Sequence, residues 1–240
     1  MDITRVYLEK EFLFEEELQI TEQAGRHLFK VLRKKTGDEV ELFDGRGSSC
    51  VASLIEPKKN EYRVKVTSEN YFSARKGIEI DIGLSLIKND PFSLALQKSA
   101  ELGVKSVTPL ITERTQVNLN TTSKNKKTRW NSIVRGACEQ CGDNWVPEIS
   151  DPMDLFSWAE EINSETKLVL YPGSEKRITE IPISDSITLA VGPVGDFSEK
   201  EIKQLEKIGF IPVSIGERIL RAETAVISSL SCLRTMAGEF

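Results

Sequence analysis

Ile187-Thr188-Leu189-Ala190-Val191 runs directly into Gly192-Pro193-Val194-Gly195-Asp196-Phe197 and then into Ser198-Glu199-Lys200-Glu201. The short apolar run reads as a buried strand, and Ser198-x-x-Glu201 is a capping box that opens a helix. A strand joined to a helix through a glycine-rich turn is the repeating step of an open α/β sheet. Such sheets bind ligands outside the carboxyl ends of their strands, where glycine allows close approach to the backbone. An ordinary tight connection explains the turn equally well by itself. The third glycine of a dinucleotide fingerprint is absent, which disfavours NAD.

The same grammar extends outward in both directions. Residues 78–87 read as a strand, Asp90 as the cap of a helix with Pro91 at its first position and Gly103 just past its end, and residues 104–111 as the next strand. After Gly209 a strand over 211–215 enters Gly216-Glu217-Arg218-Ile219-Leu220-Arg221-Ala222-Glu223-Thr224-Ala225, and an apolar helix follows to near Gly238. Alternating strands and helices imply a mainly parallel sheet covered by helices. Two arginines and two glutamates among Ile, Leu and Ala at the last junction predict buried charges, either paired with one another or used in chemistry.

Before about residue 73 the pattern differs. Strands are expected over 40–43, 50–55 and 62–67, separated by Asp44-Gly45-Arg46-Gly47-Ser48 and Pro57-Lys58-Lys59-Asn60. Tyr62, Val64 and Val66 alternate with Arg63, Lys65 and Thr67, the period of a strand with one wet face, as in a small barrel. One helical stripe, Ala24, His27, Leu28, Val31 and Leu32, interrupts the strands and leaves Arg26, Lys30 and Arg33 facing outward. Two domains follow, residues 1–72 and 73–240, with the boundary near 71–77.

The bulk numbers fit this division. At 240 residues, 39% hydrophobic and 29% charged, the chain has an ordinary globular composition. No apolar run approaches the roughly 20 residues of a membrane helix and the start lacks a signal pattern, so a cytoplasmic protein without membrane partners is expected. The formal net charge of −5 argues against a nucleic-acid partner only on average. Locally, residues 26–35 carry five basic groups without an acid, and residues 121–135 carry five more. Runs of this kind are either solvated faces or a phosphate path.

Four scattered cysteines predict no disulfide framework. Trp130, Ile133, Val134, Ala137, Cys138 and Cys141 fall on one helical stripe, so Cys138-x-x-Cys141 reads as core packing, with both thiols inward, rather than as zinc or redox chemistry. No metal is expected.

The run 215–225 resembles the L-G-x-R-I-L-R-x-E-T-A signature of the RsmE family within the SPOUT methyltransferases. His27-Leu28, Val31-Leu32-Arg33, Gly37-Asp38 and Phe43-Asp44-Gly45 resemble the family's N-terminal domain. Gln97-Lys98-Ser99-Ala100-Glu101-Leu102-Gly103-Val104, Glu113-Arg114, Arg129-Trp130 and Glu139-Gln140 resemble its central blocks. The resemblance implies an N-terminal PUA-like β-barrel, a C-terminal SPOUT α/β domain with a trefoil knot, a homodimer, and S-adenosylmethionine as cofactor. The implied reaction is methylation of N3 of a uridine in 16S ribosomal RNA of the small subunit.

By the same resemblance the cofactor site comprises Leu170, Tyr171, Gly192, Pro193, Val194, Gly195, Ile215, Gly216, Ile219, Leu220 and Thr224. Because arginine stays protonated, Arg221 and Arg218 are candidates to offset negative charge on uracil, and Glu223 is the candidate base or arginine-orienting group. Lys30, Arg33, Arg114, Lys126, Lys127 and Arg135 are the candidate RNA contacts. Two positions depart from the family pattern: Val194 replaces a usual glutamate, and Asp143 stands where a basic residue is common. Val194 keeps open a second reading, a non-catalytic RNA-binding or ribosome-assembly protein that retains the fold.

Overall fold

The computed structural model describes residues 3–115 and 123–240, without the side chains of Ser123 and Lys124. Met1 and Asp2 at the chain start, and Thr121 and Thr122 of the second basic run, lie outside the described residues. The chain divides into two compact units, Met1–Arg75 with Cys138–Val146, and Lys76–Ala137 with Pro147–Phe240.

The first unit is a six-stranded sheet in the order β1-β3-β4-β5-β2, with β6 paired to β4. Its strands are β1 (Thr4–Tyr7), β2 (Glu17–Ile20), β3 (Glu39–Phe43), β4 (Ser48–Leu54), β5 (Tyr62–Val66) and β6 (Tyr71–Phe72). All pairings are antiparallel except β1 with β3. The alternation in β5 holds: Tyr62, Val64 and Val66 enter the core beside Leu18, Leu42 and Leu54.

The helical stripe is corrected by the structure. Thr21 caps α1 (Glu22–Arg26), but a π-helical turn (His27–Val31) follows, closed by Leu32 N donating to His27 O at 2.9 Å. The wider turn shifts the inward face to Gly25 and Leu28 and leaves Val31 and Leu32 exposed. Gly25 is required there, because a Cβ would lie 2.0 Å from Tyr62 Cγ.

The residues 138–146 cross the first unit as a strap. Arg5 Nη1 donates to the carbonyls of Cys138 and Asp143 at 3.1 and 3.4 Å, Gly47 N to Asn144 O at 3.1 Å, and Val146 N to Gly45 O at 3.0 Å.

The second unit is built on a parallel sheet in the order β10-β8-β7-β12-β11-β13, with β9 beside β8. Its strands are β7 (Glu79–Ser85), β8 (Ser106–Ile111), β9 (Glu148–Ile149), β10 (Met153–Asp154), β11 (Thr166–Leu170), β12 (Ser186–Val191) and β13 (Ile211–Val213). The helices are α2 (Asn89–Glu101), α3 (Ser123–Cys141, whose last turn belongs to the first unit), α4 (Leu155–Glu161), α5 (Glu199–Lys207) and α6 (Ala222–Met236).

Helix α2 begins one residue before the expected cap. Lys88 is its N-cap, without a side-chain bond, and Asp90 is its second residue. Gly103 does follow its end, with φ +70°. The Ser198/Glu201 capping box of α5 is formed in both directions. The stripe of α3 buries Trp130, Val134, Ala137 and Cys138, but Cys141 is exposed. The expectation that both thiols face inward is therefore wrong for Cys141: the helix ends with it, and no further turn covers it.

Candidate active site

The carboxyl ends of β7, β12, β11 and β13 open onto one cavity of about 890 Å³. Leu86, Ile87, Val191, Leu170 and Val213 form its apolar floor. Its walls are three loops that leave those strands, residues 171–173, 192–196 and 214–221. The last is held against the first loop's continuation: Ser214 N donates to Lys176 O and Ile178 N to Ser214 O, both at 2.9 Å.

Of the expected cofactor residues, Leu170, Tyr171, Gly192, Pro193, Val194, Gly195, Ile215, Gly216, Ile219 and Leu220 all line this cavity. Thr224 is exposed and does not line it, because the first four positions of α6 spread around most of a turn and only Ala222, Glu223 and Ala225 face the cavity. The candidate catalytic groups Arg218, Arg221 and Glu223 are brought together at its edge.

These charges are not buried as a pair. Glu217, Arg218 and Arg221 are exposed and Glu223 is half-buried. Among the described residues no ion pair joins them. The loop lies along the cavity mouth, where solvent reaches the guanidinium groups. The buried arginine of this unit is Arg234 of α6, 5% exposed, which the charge pattern at the junction concealed.

The glycine loop is a β-turn closed by Asp196 N donating to Pro193 O at 2.9 Å, with Gly195 at φ +92°. Val194 sits at its tip, 71% exposed. The turn is therefore closed by backbone groups, with the Val194 side chain outside it. Arg114, expected on the RNA path, lines the cavity and donates to Gly195 O. Behind it, Glu113 N donates to Glu201 Oε1 at 2.9 Å and Ser198 Oγ to Glu113 Oε2 at 2.7 Å, so the segment after β8 locks the turn in place.

Asp196 is the group that sequence reasoning missed. Burial pushes its carboxyl above the ordinary value, against the opposing effects of the Phe197 N–H and Arg114, and Glu201 pushes it further up. A raised carboxyl in a cavity wall marks a group whose proton affinity the site controls. The strand-end rule would also have found Leu86, Ile87 and Lys88, since β7 pairs with β12 at the centre of the sheet.

The remaining expected RNA contacts are spread over both units. Lys30 and Arg33 are exposed in the first, and Lys126, Lys127 and Arg135 are half-buried along α3 in the second, where Lys127 pairs with Asp151 at 3.0 Å. No group of three His, Cys, Asp or Glu side chains among the described residues could hold a metal, and none of their helices is long and apolar enough to cross a membrane.

Residues 74–234 match the RNA methyltransferase domain family, and residues 20–67 match the RNA methyltransferase PUA domain family. The chain belongs to the RsmE family of RNA methyltransferases. It is 31% identical to the ribosomal RNA small subunit methyltransferase E of Buchnera aphidicola subsp. Schizaphis graminum, over 99% of this chain and 98% of that one. A methyltransferase of Legionella pneumophila, solved with bound S-adenosylmethionine, superposes with TM-score 0.93 at 36% identity, covering 98% of each chain. The small-subunit methyltransferase E of Neisseria gonorrhoeae, also solved with S-adenosylmethionine, superposes with TM-score 0.89 at 30% identity, again over 98% of each chain. The fold of this family member is a SPOUT α/β trefoil-knot domain with a PUA-like β domain at the N-terminus.

Proposed function

We propose that this RNA methyltransferase uses S-adenosylmethionine to methylate N3 of a uridine in 16S ribosomal RNA of the small subunit. The observation that carries the reading is the cavity in which apolar strand ends, the 192–196 turn and the 214–221 loop converge with Arg218, Arg221, Glu223 and Asp196. The cofactor's chemical contribution is an electrophilic methyl group on a sulfonium centre. The residues present fit such a ligand: Leu86, Ile87, Val191 and Val213 supply an apolar bed for an aromatic ring, and two carboxyl groups complement a cation.

N3 of uracil becomes nucleophilic only when its proton is removed, and each unit by which the site lowers that pKa is worth about 1.4 kcal/mol. Arg221 and the N-terminus of α6 both present positive charge where the anion forms. Glu223, in the first turn of α6, or Asp196, whose proton affinity is raised, takes the proton or orients the arginine. Arg114 fixes the turn through Gly195 O, so positioning of the reacting atoms rests on a locked wall.

Binding of the cofactor is expected to raise the melting temperature by roughly 5 to 10 °C at about a hundred times its Kd, since only the folded cavity can bind it. Gly216 has φ +144°, a backbone conformation that Val rarely adopts. Gly216→Val should abolish the shift and keep the far-UV circular dichroism. No shift in the unsubstituted protein at millimolar cofactor would favour the non-catalytic reading, and mapping of modified nucleotides in ribosomal RNA from cells lacking the protein identifies the base.

In this reading the division of labour follows the two domains, 1–72 holding RNA and 73–240 performing transfer. Arg33 ends the basic helical segment in the left-handed region, φ +54°, with its side chain exposed. Arg33→Glu is expected to weaken RNA binding, with a shallower salt slope, and to spare cofactor binding. Equal loss of both in fluorescence and calorimetric titrations contradicts the division. The working unit proposed is a homodimer, supported by the apolar rim of Val194 and Ile219, 71% and 88% exposed, at the cavity mouth.

A further inference from the structure

Cys138 and Cys141 close the last turn of α3 and differ in each property that governs thiol chemistry. Cys138 is buried, with Sγ donating to Trp145 O at 3.6 Å, whereas Cys141 is exposed. Three residues apart on a helix, their Cα atoms lie about 5 Å from each other, within the range of about 4.4 to 6.8 Å that disulfides span. The helix ends immediately afterwards at Gly142, φ +87°, so no following turn clamps Cys141. Arg5 brings a cation beside the pair through its bonds to the Cys138 and Asp143 carbonyls, at 3.1 and 3.4 Å.

The protonation states follow from this arrangement. A hydrogen bond from the Cys138 thiol, whose single proton can turn from Trp145 O to the Cys141 sulfur, lowers the Cys141 thiol to about 6, with help from the Asp143 backbone and Arg5, against burial and the Asp143 carboxylate. The same bond, and burial, push Cys138 upward. Burial raises the other two thiols, Cys50 to about 11 with Glu41 adding to the rise, and Cys232 in the same direction. An accessible low-pKa thiol beside a buried second thiol is the arrangement of an attacking and a resolving cysteine. A metal would need further ligands, and no group of three is present among the described residues.

We propose that Cys141 and Cys138 form a thiol–disulfide exchange site for low-molecular-weight disulfides, Cys141 attacking and Cys138 resolving. The Cys141 thiolate bonds to one sulfur of the disulfide, whose S–S bond breaks with its electron pair leaving on the first thiolate. Cys138 then bonds to Cys141 Sγ and expels the second thiolate, which takes up the Cys138 proton as it leaves. The protein loses two electrons and two protons, and the small disulfide becomes two thiols. Cys138 thereby ceases to donate to Trp145 O, while Trp145 keeps its bonds from Nε1 to Ser73 O at 2.8 Å and from N to Asp143 Oδ1 at 2.9 Å, so the strap stays in place.

The test treats the full chain with glutathione disulfide at pH 7, alkylates the remaining thiols and reads the peptides by mass spectrometry. The expected products are a Cys138–Cys141 disulfide in the unsubstituted protein, reversed by dithiothreitol, a persistent glutathione adduct on Cys141 in Cys138→Ser or Cys138→Ala, and neither in Cys141→Ser. Iodoacetamide should label Cys141 at least roughly tenfold faster than Cys232. Labelling of Cys141 no faster than Cys232, or an adduct in the unsubstituted protein that never resolves, overturns the proposal. Those two measurements on the unsubstituted chain decide it if the buried-site variants fail to fold.

Discussion

Arg221→Ala and Glu223→Gln are each expected to slow methyl transfer by about 10² to 10⁴-fold in single-turnover assays at saturating cofactor, with little change in melting temperature. The second half of that expectation comes from the structure. An exposed arginine and a half-buried glutamate without an ion pair between them contribute about ±0.5 kcal/mol when replaced, which is about 1 to 2 °C for a chain of this size. A buried structural pair would instead cost about 3 to 5 kcal/mol on losing one partner. The two variants therefore separate chemistry from scaffolding cleanly. In the proposed reaction Arg221 faces charge that exists only once N3 has lost its proton, so its loss should lower the rate without raising the cofactor Kd. Unchanged single-turnover rates in both variants would remove these residues from the reaction and leave Arg218 and Asp196 as the groups to replace.

Much of this site could be read from the chain because its parts are local. The capping box of Ser198 and Glu201, the strand of residues 187–191 and the glycine turn between them depend on contacts within a few residues, and each forms as its spacing predicts. The alternation in β5 is local in the same sense. The misreadings arise where exposure depends on distant chain. Residues 216–221 have no period, and only their course along the cavity mouth leaves Arg218 and Arg221 in solvent. Cys141 lies on an apolar stripe, but a stripe predicts burial only while the partner surface continues. Asp196 acquires its raised carboxyl from burial, with Glu201 adding to the rise and Arg114, more than eighty residues earlier, opposing it, a balance that no local pattern announces. The π-helical turn after Arg26 likewise displaces Val31 and Leu32, with no proline or glycine within it to mark it.

Arg234 shows the same limit with the largest consequence for stability. In sequence it is one basic residue near the end of an apolar helix, where a cation ordinarily offsets the helix dipole from solvent. In the structure it is 5% exposed, and its guanidinium donates to Leu102 O at 3.0 Å, Ile78 O at 2.9 Å, Gly103 O at 2.6 Å and Glu239 Oε2 at 2.5 Å. It thus ties the start of β7, the end of α2 and the C-terminal residues to α6. Glu239 completes the link, its other oxygen accepting from Ile78 N at 2.7 Å. Arg234→Met keeps the stem and removes the donors, leaving three carbonyls and a partly buried carboxylate without their partner. A loss of about 3 to 5 kcal/mol is expected, seen as a fall in melting temperature of roughly 6 to 20 °C. Glu239→Gln preserves the hydrogen-bonding shape and should cost less. The double variant Arg234→Met with Glu239→Leu should recover part of the loss, because removing both charges together abolishes the unpaired one. A single variant as stable as the parent would show that water replaces the guanidinium and that the tie between β7 and α6 resides in apolar packing alone.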